Sequence, residues 1–196
     1  MSSELQAYLD KLRACEICKG AMDRAPNPIV RAQSSARILV ASQAPGNLAD
    51  VKSQPFADPS GVRLREWMGV SDDEFYDESR IAIAPMGFCF PGYDKNGGDR
   101  PPMKVCAPTW RAGLLERMPN LELVLAIGGY AQSWHLAAAK AKTLTETVRD
   151  WRTHLKSGVL PTPHPSWRNN GWLKRHPWFE NEVLPELRRR VRTLLS

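Results

Sequence analysis

A chain of 196 residues, 42% hydrophobic and 24% charged, has room for one domain with a true core and little for a second. Lys and Arg number 27 against 21 Asp and Glu, so the formal net charge is +6, a surplus that suits a polyanionic partner. No apolar run approaches the roughly 20 residues needed to cross a bilayer, the opening MSSELQAYLDKLRAC lacks a signal-peptide apolar stretch, and repeats and low-complexity tracts are absent. The expectation is one domain over residues 1–196, cytoplasmic, monomeric and without membrane contact.

In chain order, residues 2–14 set Ser3 and Gln6 at capping-box spacing and Leu5, Tyr8, Leu9 and Leu12 on one stripe, which predicts a helix that delivers Cys15 and Cys18. Residues 37–41 form an apolar run that breaks into Ser42-Gln43-Ala44-Pro45-Gly46, a strand running into a loop. The same pattern recurs at 80–84, which ends in Pro85, at 121–127, which ends in Gly128-Gly129, and more weakly at 158–161. Helical stretches lie between and after these runs, at 62–68, 107–118, 130–139, 144–154 and 178–195. This alternation predicts an α/β fold: three layers, α/β/α, around a central, mostly parallel four-stranded sheet, with working residues beyond the carboxyl ends of the strands. Residues 88–102, rich in Gly and Pro, read as an irregular connection of functional length.

The four cysteines fall as Cys15-x2-Cys18, then Cys89, then Cys106. Without an export signal, disulfides are disfavoured, and four thiolates including one C-x2-C pair suit structural zinc or a 4Fe-4S cluster. Four unrelated buried thiols are the alternative.

Two loops carry further chemistry. The turn Gln43-Ala44-Pro45-Gly46 could hold a flat polar ring, and Phe56, ten residues on, could stack on it or fill core. Late in the chain, His164-Pro165-Ser166 leads into Trp167, Arg168, Asn169, Asn170, Trp172, Lys174 and Arg175. Basic, amide and aromatic residues interleave there, as in loops that touch phosphates and offer a wedge to unstacked bases. His135, His154 and His176 read as packing or capping residues. The arginines at 188–190 and 192 read as a solvated helix face.

The ordered set of C-x2-C, Gln-Ala-Pro-Gly after a first strand, Phe, two more Cys and a late His-Pro-Ser resembles the uracil-DNA glycosylase superfamily, and within it most resembles the iron-sulfur family 4 enzymes. The resemblance implies a repair enzyme that flips uracil out of DNA and hydrolyses its N-glycosidic bond, leaving an abasic site. It would act at the nucleoid if bacterial. Gln43, Ala44, Pro45 and Gly46 would form the uracil pocket, Phe56 would stack on the base, and His164 would stabilise the departing uracil anion. Ser166, Trp167, Arg168, Asn169, Asn170, Lys174 and Arg175 would contact DNA. Cys15, Cys18, Cys89 and Cys106 would hold a structural 4Fe-4S cluster, with zinc as the alternative.

The chain departs from the family pattern twice. Ala44 stands where the most active branch has a water-activating Asp, leaving Asp50 and Asn47 as candidates. Pro85 stands where family 4 has a base-reading Asn, and replacement contacts could come from the backbone at Met86 and Gly87 or from Asn47. These departures keep two other readings open: a protein of this fold that binds uracil, abasic sites or single-stranded DNA with little turnover, and a glycosylase for another deaminated base.

Overall fold

A computed structural model describes residues 3–196, and for Ser3 its backbone alone, so the cap expected from the Ser3 side chain lies outside the described residues. Helix α1 (Ser3–Arg13) buries Leu5, Leu9 and Leu12 on one stripe, as their spacing requires. Strands β1 (Ile38–Ala41), β2 (Ile81–Ile83), β3 (Leu123–Ile127) and β4 (Val159–Thr162) follow, all within one residue of the expected apolar runs except at the start of β3. They form one sheet in the order β2-β1-β3-β4 with every pairing parallel.

Alternation along the strands separates two cores. Ile38, Val40, Ile81, Ile83, Leu125 and Leu160 face one side. There they pack on α3 (Pro59–Met68), α4 (Asp72–Tyr76), α8 (Trp151–Leu155) and α10 (Leu184–Leu195). Ala41, Ala82, Ala84 and Ala126 face the other. Their small side chains let α1, α5 (Cys106–Glu116) and α6 (Gly128–Leu136) lie close to the sheet. The three-layer α/β/α architecture is the one expected.

Local differences have identifiable causes. The expected helix 144–154 is two helices, α7 (Leu144–Arg149) and α8, separated at Asp150, whose side chain bonds the Thr153 hydroxyl at 2.7 Å. The last expected helix opens with one π turn over Phe179–Val183, and α10 carries Pro185 in its first turn. Two stretches read as loops contain short helices, α2 (Asn47–Lys52) and α9 (Asn170–Arg175). Helix α4 is held by a capping box between Ser71 and Glu74. The C-terminal arginines are paired rather than merely solvated: Arg192 reaches Glu74 at 2.8 Å, and Arg189 and Arg190 reach Glu186. Among the described residues no helix is long and apolar enough to cross a membrane.

Candidate active site

The loops leaving β1 and β2 are stitched together. The Met86 amide donates to the Ser42 carbonyl at 2.8 Å and the Gly87 amide to the Gln43 carbonyl at 2.9 Å, which continues the parallel pairing beyond the strands. The Gln43 side chain then donates to the Arg100 carbonyl at 3.1 Å. Gly87 lets the long connection close over this pair, because a Cβ there would stand 2.8 Å from Pro102 Cβ. One joined loop surface results, built from residues 43–46, 86–87 and 99–102.

This stitching narrows one expectation, leaving the backbone at Met86 and Gly87 its carbonyls to offer a base. Each backbone amide carries a single proton, and those of Met86 and Gly87 are already donated within the loop pair, so neither is left to read a base edge in place of the absent Asn. Pro85 is itself pinned from behind. Arg111, 0% exposed, donates Nη1 to the Ala84 carbonyl at 2.9 Å and to the Pro85 carbonyl at 3.1 Å. Its Nη2 lies 2.6 Å from His135 Nε2, which accepts and so carries its own proton on Nδ1. Burial and the guanidinium charge push His135 down to about 3, and burial alone holds Arg111 down to about 10. His135 is thus a packing partner, as expected, of an arginine that sequence reading missed. The signal was present: Arg111, Leu114 and Met118 share the buried face of α5 and the turn after it.

Asp50 and Asn47 both lie on α2, but their side chains are in different situations. One Asp50 carboxylate oxygen accepts from Arg24 Nη1 at 3.0 Å and the other from Asn27 Nδ2 at 3.4 Å. Asn27 also bonds the Asp50 carbonyl at 3.0 Å. Asp50 is therefore a strut tying α2 to residues 24–27, and its oxygens are engaged, which argues against the water-activating role considered for it. Asn47 Oδ1, by contrast, is buried with no partner among the described residues. A buried amide oxygen without a donor is costly, and a bound ligand or water would satisfy it.

Phe56 sits in the left-handed region at φ +54°, a strained conformation for a side chain of its size. Its carbonyl is held by the Tyr76 hydroxyl at 3.3 Å and Arg65 Nη1 at 3.4 Å, and its ring meets Phe75 edge-on with centroids 6.0 Å apart. Gly61 makes this placement possible, since a Cβ there would fall 1.8 Å from the Phe56 oxygen. Phe56 is half-buried and packs against the core, as the core-filling alternative for it expects.

His164 follows β4. Its Nδ1 accepts the Ser166 amide at 3.2 Å, which puts the proton of the neutral ring on Nε2, and Nε2 makes no protein hydrogen bond among the described residues. Burial lowers the His164 pKa below the ordinary histidine value, with the Asp58 carboxylate opposing. Asp58 caps α3, accepting the Gly61 amide at 3.0 Å ahead of Pro59 at the first helical position. That Asp-Pro cap signal was legible in the sequence, but its closeness to His164 was not.

The basic loop is more ordered than expected. Residues 167–169 form a 3₁₀ turn capped by the Ser166 hydroxyl, which accepts the Arg168 amide at 3.2 Å. Asn169 Nδ2 bonds the His164 carbonyl at 2.7 Å, and Asn170 Oδ1 accepts from Arg63 Nη1 at 2.8 Å. Ser166, Asn169 and Asn170 thus shape the loop from within. Trp172 is no wedge: its Nε1 donates to the Thr145 hydroxyl at 2.8 Å and its ring packs against Trp178 and Phe179. Trp167 is the projecting residue, 71% exposed, with the Arg168 guanidinium 5.8 Å from its ring. Lys174 and Arg175 occupy the last turn of α9. An open groove of about 1260 Å³, open solvent included, runs past Leu48, Ala57, Asp58, Val62 and Arg63.

Cys15, Cys18, Cys89 and Cys106 border one cavity with an empty volume of about 370 Å³, open solvent included. Burial pushes the Cys89 thiol up to about 12 and also raises Cys18 and Cys106. The spacing rule thus brought together residues up to 91 positions apart (106 − 15). Among the described residues, no three His, Cys, Asp or Glu side chains are placed to share a single metal ion.

A family model described as the uracil DNA glycosylase superfamily matches residues 30–188, a stretch that holds the stitched loops, Phe56, Cys89, Cys106 and His164. The chain belongs to this superfamily. It is also similar to a solution NMR structure of a uracil DNA glycosylase candidate from Methanosarcina acetivorans, at 16% identity and TM-score 0.49, over 85% of this chain and 96% of that one. Cys15 and Cys18 lie before the matched stretch. In this superfamily member the candidate site lies at the carboxyl ends of the parallel strands, where open α/β sheets bind ligands.

Proposed function

We propose that this superfamily member is a monofunctional uracil-DNA glycosylase, most like the iron-sulfur family 4 enzymes, and that it acts on DNA as a monomer. The observation that carries the reading is His164: a neutral imidazole whose free Nε2–H is held in place by the Ser166 amide on Nδ1. Breaking a glycosidic bond leaves negative charge on the base and positive charge on the sugar. A preorganised donor aimed at the base oxygen stabilises that negative charge without reorganising as it develops. The target nucleotide is extruded from the stack at a cost of a few kcal/mol, and stacking on Phe56 returns about 1–3 kcal/mol of it. Trp167 would fill the space left behind, while Arg168, Lys174 and Arg175 would neutralise phosphates.

Asn47 is the residue proposed to read the pyrimidine edge: its Oδ1 is buried and unpartnered, and turning the amide toward the base would let it accept from an imide N–H such as that of uracil. The test is base release from an end-labelled oligonucleotide carrying a single uracil, with hypoxanthine and thymine-mismatch substrates in parallel and alkali to cut abasic sites. Multiple turnovers on uracil are expected. Tight binding without cleavage would replace this reading with that of a recognition protein.

The four thiols border one cavity, and the group proposed there is a 4Fe-4S cluster, with zinc as the alternative. Tetrahedral zinc needs four sulfurs about 2.3 Å from one centre. A cluster presents several iron atoms to sulfurs spaced more widely around one cavity. When bound, the group would act as a staple, tying the end of α1 to both ends of the 89–106 connection. Loading would require the raised thiols to lose their protons. Anaerobically purified protein is expected to absorb broadly near roughly 400 nm and to contain about four iron atoms per chain, and Cys89→Ser is expected to lose both. Stoichiometric zinc in a colourless protein would rule the cluster out.

A further inference from the structure

We propose that Asp99 positions and deprotonates the attacking water, doing the work that no side chain at Ala44 can do. The proposal rests on the glycosylase reading above and names a residue that the pocket motif does not contain. Asp50, Asp58 and Asp99 differ in what already binds them. The Asp50 oxygens are taken by Arg24 and Asn27, and Asp58 accepts the Gly61 amide. Asp99 accepts no hydrogen bond and forms no ion pair among the described residues. Its Oδ2 lies 3.6 Å from the point where a Cβ on Gly46 would stand, so it borders the last residue of the pocket motif and the start of α2.

The segment that carries Asp99 is held firmly. The backbones of Tyr93 and Asp99 form an antiparallel bridge, the Arg100 amide donates to the Gly92 carbonyl at 2.9 Å, and Gln43 clamps the Arg100 carbonyl from the pocket side. Three charged groups face the carboxylate: Arg168 from the turn after His164, Asp58 from the cap of α3, and Asp94 from its own loop. Asp58 also opposes the lowering of the His164 pKa, so the same carboxylate acts on both groups. Asp99 is exposed at the surface, and its partial desolvation, with the two neighbouring carboxylates, raises its pKa against the pull of Arg168. A carboxylate of raised basicity is a better proton acceptor from water.

The bond between C1′ and the base nitrogen breaks and its electron pair leaves with the base, whose anion is stabilised by the His164 Nε2–H. The water oxygen bonds to C1′ and its proton passes to Asp99. The carboxylate returns that proton to solvent, and the base anion takes one up.

The experiment is single-turnover base release from the uracil oligonucleotide by full-length wild type, Asp99→Asn, Asp99→Ala and Asp50→Asn, with DNA affinity and melting temperature measured on each. Asp99→Asn is expected to slow release by about 100-fold with affinity within about twofold and melting unchanged. Added formate is expected to restore part of the rate to Asp99→Ala only. An Asp99→Asn rate within about threefold of an active wild type overturns the assignment and leaves the glycosylase reading standing. A large loss confined to Asp50→Asn does the same. No base release by wild type overturns both.

Discussion

Replacing His164 by alanine is expected to slow base release by about 10²–10³-fold while leaving affinity for the uracil oligonucleotide nearly unchanged. The size follows from what is removed: a single donor that needs no reorganisation, because the Ser166 amide on Nδ1 already fixes the tautomer. Burial is the main cause of the lowered His164 pKa, so the neutral ring persists at pH values where an exposed histidine would begin to charge. Protonating Nδ1 would set two N–H groups against each other and open the His-Pro-Ser turn. A histidine with a depressed pKa in the folded state contributes stability that is present above about pH 6.5, its unfolded value, and is lost as the pH falls through the lowered folded value. Thermal melting of wild type and His164→Ala across that range should therefore converge toward acid. A single-turnover rate within about twofold of wild type would remove His164 from the chemistry.

Gly61→Ala is expected to destabilise the protein by about 2–3 kcal/mol and to lower its melting temperature by roughly 5–10 °C. The added methyl has no flexible neighbour to push aside: it would stand 1.8 Å from the Phe56 oxygen and 2.7 Å from the Phe56 carbonyl carbon, both backbone atoms. Relief requires moving a residue already strained at φ +54° and anchored through Tyr76 and Arg65. The Phe56 ring would move with its backbone. Base release should therefore fall more than tenfold even at temperatures where the variant is fully folded. Calorimetry and single-turnover kinetics at 15 °C check both parts, and an unchanged melting temperature would mean that the helix and the Phe56 turn are not locked as described.

Most of the frame was legible because it follows from local rules. Four short apolar runs broken by Pro, Gly or a polar turn became four parallel strands, and the helical stripe at Leu5, Leu9 and Leu12 became a buried helix face. The pattern Cys-x2-Cys with two later cysteines pointed to one site, and all four thiols border one cavity. Short helices were less legible. α2 and α9 each span six residues, too few for periodicity to stand out from loop composition.

The roles of individual polar groups were not legible, because a side chain's availability depends on partners far away in sequence. Asp50 and Asp99 are the same residue type, one on α2 and the other against Gly46 just before that helix. Arg24 and Asn27 engage the first, and nothing among the described residues engages the second. The Met86 and Gly87 amides looked free until the stitching of two loops consumed them, and Trp172 looked like a wedge until Thr145 and Phe179 anchored it. Arg111 reads as one more basic residue, yet it is fully buried and holds the carbonyls at the end of β2.

Residue order alone thus decided the layers, the strand ends, the metal-type cysteine pattern and the pocket motif, since each depends on spacing within a few residues or on the kinds of residue present. Tertiary structure decided which donors and acceptors are left unsatisfied around that pocket. Hydrogen-bonding capacity is finite and is consumed by whichever partner the fold brings nearest, so the function proposed here draws on the groups that folding leaves over: His164 Nε2–H, Asn47 Oδ1 and the Asp99 carboxylate.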